Sequence, residues 1–176
     1  MQYTFKSGTL YEDDTHEALA KIKSAVFGQA KKIYDTHENM LMTTDVHYFV
    51  DQDDDNGDIR NKEYVMLGSD NHLVGEEKTE YAQGYDPEAV GWPVCKMPKV
   101  DHAELTIDHR HFLLTMLNNQ NYSLRDDNDT EIVSILHKGI SGGWTIRDDY
   151  GFRPDEICGL FAFCRYIEQE NELLVV

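Results

Sequence analysis

Asp51, Asp53, Asp54, Asp55 and Asp58 put five carboxylates within eight residues, with no Lys or Arg among them. Such groups repel one another unless a cation, a basic surface or bulk water neutralises them. The chemistry they offer is ion binding or charge-driven recognition. A second reactive set combines sulfur and imidazole: Cys95, Cys158 and Cys164 with His102, His109 and His111. Cys95 and His102 lie seven residues apart and form the chain-local thiol–imidazole pair. A pair of that kind is an activated nucleophile when a cleft holds it together. Cys158, near the start of an expected helix, is placed for a dipole-lowered pKa. Cys164 reads as a small core hydrophobe. A small cysteine-dependent hydrolase is therefore one alternative. On a helix, Glu104, Asp108 and His111 would share a face, but zinc wants three or four ligands converging at short fixed spacings, and no CxxC or HExxH run occurs.

Read from Gln52, the acidic stretch resembles part of an EF-hand loop, with Asp54, Asn56, Gly57, Ile59 and Glu63 at matching positions. The first ligand position holds Gln52 where the motif needs Asp, and the residues before it read as a strand rather than a helix. Calcium bound by Asp54, Asn56, Asp58 and Glu63 is the metal alternative; no other cofactor is expected. Gly139, Gly142 and Gly143 lack the following lysine of a phosphate-binding loop and read as turn residues.

Net charge narrows the partners. The chain carries −17, and residues 45–90 alone hold thirteen acids against three bases. This field repels nucleic acid and anionic lipid and steers basic partners inward. The leading expectation is an acidic binding or inhibitory protein that engages a basic protein, with no direct nucleic acid and no membrane. Small, strongly acidic chains of this kind resemble inhibitors of host-defence nucleases and some immunity proteins, a likeness of size and composition. It implies charge mimicry toward a nucleic-acid-binding enzyme, in a counter-defence role. Asp51, Asp53, Asp54, Asp55, Asp58, Glu76 and Glu77 would supply charge. Tyr48, Tyr81, Tyr85 and Trp92 would supply desolvated anchors. Three cysteines without a framework spacing, and no apolar run long enough to span a bilayer, point to a reducing cytoplasmic setting.

The elements that must position these groups read as an α+β fold, a single domain over 1–176. Val46, Tyr48 and Val50 alternate ahead of Asn56-Gly57, and Tyr64–Leu67 follows, which predicts an acidic-tipped β-hairpin. Tyr3 and Phe5 predict a first strand, Leu73-Val74 a continuation of the hairpin, and residues 144–147 a short strand. Asp14 with Glu17 suggests a capping box. Leu19, Ile22, Val26, Ala30 and Ile33 then predict a helix over 15–37. Asp101 with Glu104, followed by Leu105, His109, Phe112 and Met116, predicts a second helix, with His109 partly buried. Asn128 with Glu131 predicts a third, ending near Lys138 and Gly139. Pro154, Asp155 and Glu156 open a fourth, lined by Ile157, Leu160, Phe161, Cys164 and Ile167. About four helices packed on a small antiparallel sheet is the expected architecture.

Overall fold

The computed structural model describes residues 1–25, 28–48, 62–82, 100–118 and 120–172. Twelve strands follow in chain order. They are β1 (Gln2–Lys6), β2 (Thr9–Glu12), β3 (Ala18–Ser24), β4 (Lys31–Tyr34), β5 (Met40–Tyr48), β6 (Lys62–Gly68), β7 (Leu73–Tyr81), β8 (Val100–Ile107), β9 (Arg110–Asn118), β10 (Asn121–Arg125), β11 (Glu131–His137) and β12 (Trp144–Asp148). A helix, α1 (Pro154–Glu172), completes the chain. Every strand pairs antiparallel with its sequence neighbours, and β1 pairs with β12 to close the sheet into a barrel. Closure leaves no unpaired edge among the described strands.

The expected α+β architecture is thus corrected: among the described residues there is one α-helix, and the sheet is the whole wall. The physical reason is side-chain alternation. Residues 15–37 form β3 and β4, where Ala20 and Ile33 are buried and Lys21, Lys23 and Lys32 are exposed. Residues 101–117 form β8 and β9 about a two-residue turn, Asp108-His109, both at positive φ (47° and 63°). Across that turn Ala103 faces Leu114, Leu105 faces Phe112 and Ile107 faces Arg110. Residues that face one another across such a turn are three, seven and eleven apart in the chain, spacings that imitate one face of a helix. Residues 131–137 form β11; Val133 and Ile135 are buried while Leu136 is exposed. The first strand, the strands flanking the predicted hairpin and the strand at 144–148 lie where the sequence places them.

The fourth predicted helix is present, and it occupies the barrel interior. From Glu156 to Phe163 every residue is buried, whichever way it points, as only a helix surrounded by protein can be. Phe5 and Phe161 approach at 4.1 Å between ring centroids, and Tyr64 stacks on Tyr166 at 4.4 Å. Gly159 sits where a Cβ would meet Met66 Sδ at 2.6 Å, so the helix backbone presses directly on β5 and β6. Glu156 accepts the N–H of Arg153 at 2.7 Å, and Pro154 needs no donor partner in the first turn. No described helix is long and apolar enough to cross a membrane. Outward positions on the wall carry Lys21, Lys23, Glu76, Lys78, Glu104 and Arg147, putting charge where a membrane barrel carries its apolar band.

The barrel has two rims. At the upper rim β12 turns into α1, beside turns 13–17, 35–39, 69–72, 108–109 and 126–130. At the lower rim the C-terminal end of α1 lies near Ser7-Gly8 and Gly139–Ser141. There β5 ends at Tyr48 and β6 begins at Lys62, and β7 ends at Tyr81 while β8 begins at Val100.

Candidate functional site

Alternation assigns each residue of β5–β8 to one side of the wall. Thr44, Val46, Tyr64, Met66, Glu77 and Leu105 point inward; Asp45, Glu63, Glu76, Lys78, Glu80 and Glu104 point outward. The register lays Asp45 beside Val65, Val65 beside Glu76, and Glu76 beside Thr106; Val65 is only 1% exposed and Asp45 and Glu76 are half-buried, so this row is partly covered. The next row runs from His47 through Glu63 and Lys78 to Glu104. Five carboxylates therefore share the outer face of four adjacent strands. Lys78 is the one lysine or arginine on that face among the described residues, and its Nζ lies 4.0 Å from Glu80.

On β9 the face continues into His111 and Leu113. His111 Nδ1 lies 3.3 Å from Thr106 Oγ1, and Leu113 is 37% exposed opposite Glu104. A groove of about 290 Å³ opens here, its polar walls formed by Glu104, His111, Asp126 and Asp127 and its apolar side by Leu105, Phe112 and Leu113. Asp126 belongs to a self-bonded turn. Its Oδ1 accepts the N–H of Thr130 at 2.9 Å and that of Asn128 at 3.0 Å. Those backbone donors, Thr130 foremost, hold its carboxyl below the usual aspartate range and keep it anionic at the groove edge. A groove lined by three carboxylates with Leu105, Phe112 and Leu113 suits a long cationic side chain: the head meets the carboxylates and the stem lies on apolar surface.

The sequence-predicted partner residues divide. Glu76 is on the outer face. Glu77, its neighbour, is in the barrel interior and fully buried, so it contributes nothing to an external surface. Burial first, and the nearby Glu170 second, push its carboxyl well above the ordinary glutamate value. Neither of its oxygens has a hydrogen-bond partner among the described residues. Tyr48 is 63% exposed at the lower rim. Tyr81 closes β7. Asp51, Asp53, Asp54, Asp55, Asp58, Tyr85 and Trp92 lie outside the described residues, as do Cys95 and Asn56. Of the calcium set only Glu63 is described, on the outer face of β6. Among the described residues no group of three or more His, Cys, Asp and Glu is placed to hold a metal ion.

The histidines and two cysteines lie on opposite sides of the wall. Cys158 and Cys164 are buried on α1, and burial pushes both thiols up rather than down. His102 and His111 are on the outer face, and His102 Nδ1 lies 2.6 Å from Asp101. His109 occupies an exposed turn, which corrects its reading as a partly buried helical residue. Glu104 and His111 do share a surface, though through strand pairing and with Asp108 in the turn. Sequence reasoning did not join Glu104, His111 and Leu113 to the acidic face; a strand reading of 100–118 would have found that link. No family model, no curated protein and no solved structure matches the chain.

Proposed function

We propose that the protein is a binding protein that docks a basic surface of another protein onto the outer face of β5–β9. One observation carries this reading: the groove bounded by Glu104, Asp126, Asp127 and Leu113, set beside Asp45, Glu63, Glu76 and Glu80. Neighbouring strands lie ~4.8 Å apart, so carboxylates on adjacent strands present closely spaced negative charge. Nucleic-acid-binding enzymes already carry surfaces built for such charge, since duplex DNA offers one per ~1.7 Å of axis. A nuclease or other nucleic-acid-binding protein is accordingly the partner class favoured here. Leu113 provides the apolar contact, and the carboxylates provide register and steering.

The test compares two charge reversals of equal size. Glu104→Lys with Asp127→Lys alters the groove; Asp14→Lys with Glu17→Lys alters the exposed upper-rim turn. A tagged chain recovered from the cells that make it should bring down a basic protein. The complex, once reconstituted from purified components, should survive the upper-rim reversal and fail with the groove reversal. Raising salt from about 0.1 M to about 0.5 M should weaken it strongly. Equal loss in both variants would reduce the effect to overall charge and refute the assigned face. A recovered partner with an acidic or neutral contact surface would refute the proposal altogether.

A further inference from the structure

Where α1 leaves the barrel, the inner wall of β1–β4 does not close on it. A cleft of about 270 Å³ remains, with Phe5, Ile22, Phe161 and Ala162 as its apolar walls. It stays open because Gly8, Ser24 and Ala162 fill little space, and Gly8 at φ +78 brings backbone rather than a side chain to the mouth. Trp144 braces Phe161 from behind, edge to face at 4.9 Å. Lys31, Arg165 and Gln169 supply the polar lining. Lys31 donates to Ser24 Oγ at 3.2 Å and meets no carboxylate at ion-pair distance among the described residues. Arg165 pairs with Glu168 on its own helix and lies 5.9 Å from the Trp144 ring. The side-chain oxygen of Gln169 is buried and has no donor among the described residues.

Two cations and an unpaired buried acceptor, set over an apolar floor, ask for a ligand of particular chemistry. In a chain with twice as many acids as bases, Lys31 and Arg165 at one mouth select a negative head. The Gln169 oxygen calls for an N–H or O–H donor, since a buried acceptor left unpaired is costly. The volume lies just below the ~300 Å³ at which pockets for drug-sized ligands begin, so the body must be compact. We propose that this cleft binds a small amphipathic monocarboxylate that also carries a hydrogen-bond donor, an arylacetate with a ring hydroxyl being the simplest representative. The carboxylate sits at Lys31 and Arg165, the ring lies on Phe5 and Phe161, and the hydroxyl donates to Gln169. This site is independent of the acidic outer face and would survive the loss of that reading.

Titration calorimetry with the intact chain tests it, using 4-hydroxyphenylacetate, phenylacetate and phenethylamine as probes. The hydroxylated acid should bind best, phenylacetate several-fold more weakly, and the amine not measurably. Lys31→Met keeps the stem and removes the charge, and should weaken the hydroxylated acid by about tenfold, the loss expected for a charge-assisted hydrogen bond. Ala162→Leu should fill the cleft and abolish binding, with an unchanged far-ultraviolet dichroism spectrum showing that the barrel is intact. Should Ala162→Leu fail to fold, the Lys31→Met result decides alone. Equal binding of acid and amine, unaltered affinity in Lys31→Met, or no binding of either acid to the folded chain would overturn the proposal.

Discussion

Glu77 provides the sharpest test of how the barrel and its helix fit together. Its carboxyl faces inward from β7 opposite Tyr64 on β6 and Leu105 on β8, with Cys164, Tyr166 and Glu170 of α1 on the lumen side. Glu170 is itself held by Lys62 at 2.5 Å and by the Tyr64 hydroxyl, so no cation is left to pair with Glu77 among the described residues. Burial therefore keeps Glu77 protonated in the fold, with its pKa well above the value of about 4.3 expected in the unfolded chain. Below that unfolded value both states hold the proton and Glu77 carries no penalty. Above it the unfolded chain releases the proton and the folded chain keeps it, so stability falls by about 1.4 kcal/mol per pH unit until the folded pKa is reached. Glu77→Gln removes the titration and leaves the shape. Urea unfolding at pH 5, 6 and 7 should show the variant gaining on the parent as the pH rises, by at most about 1.4 kcal/mol per unit below the folded pKa. Taking the difference between the two proteins cancels the titrating groups that do not interact with Glu77. A difference that is the same at pH 5 and pH 7 would mean that Glu77 titrates as in the unfolded chain, and the unpaired interior carboxyl would be refuted.

Two further outcomes follow from local geometry. Gly159→Ala gains about 1 kcal/mol of helix propensity, but its Cβ meets Met66 Sδ at 2.6 Å and Met42 Sδ at 3.1 Å. Overpacking costs about 1–3 kcal/mol, so denaturant unfolding should show a net loss of up to ~2 kcal/mol; a net gain would show that both methionines swing clear without strain. Replacing Asp108-His109 by Asn-Gly puts the preferred residues at two positive-φ positions. It should stabilise by roughly 1 kcal/mol, given the 1–2 kcal/mol that each ordinary residue spends in that region. Calorimetry should then record a melting temperature higher by about 2–4 °C, and a lower one would contradict the turn assignment.

What the sequence made legible depended on how plainly its turns were marked. Pro154 with Asp155 and Glu156 announces α1 without ambiguity, and the hairpin strands around 45–67 alternate clearly. The β8–β9 hairpin was hidden because its turn holds Asp108 and His109, where the usual signal is Asn-Gly. The same holds at His16, Glu38 and Asp129, each at positive φ with an ordinary side chain. In the last two turns an aspartate does the work: Asp35 accepts the N–H groups of His37 and Asn39, each at 2.8 Å, much as Asp126 does for Asn128 and Thr130. Asp14 with Glu17, Asp101 with Glu104 and Asn128 with Glu131 have the spacing of a capping box and so predict helix starts, where the structure has a turn, the strand β8 and the turn into β11. Ile157, Leu160, Phe161, Cys164 and Ile167 predict a one-sided apolar stripe on α1, whereas Phe163 and Tyr166 complete a ring of buried residues. Glu76 and Glu77 were grouped by adjacency, but a strand sends neighbours to opposite faces, so one is on the surface and the other in the core.

The topology also bears on where recognition can occur. Pairing of β1 with β12 uses the hydrogen-bonding groups of both terminal strands, which leaves no free edge among the described strands for a partner to extend. The helix fills the lumen along most of its length, so the interior offers structure rather than a binding chamber. Recognition then falls to the outer faces and the mouths, and these differ in charge. The face of β5–β9 gathers carboxylates from strands remote in sequence, with Lys78 set among them, and it calls for a basic macromolecular surface. The cleft beside β1–β4 differs: among the described residues that line it, Lys31 and Arg165 stand over an apolar floor, where a small anion fits. Two readings of opposite charge can coexist on one chain because the barrel wall separates them.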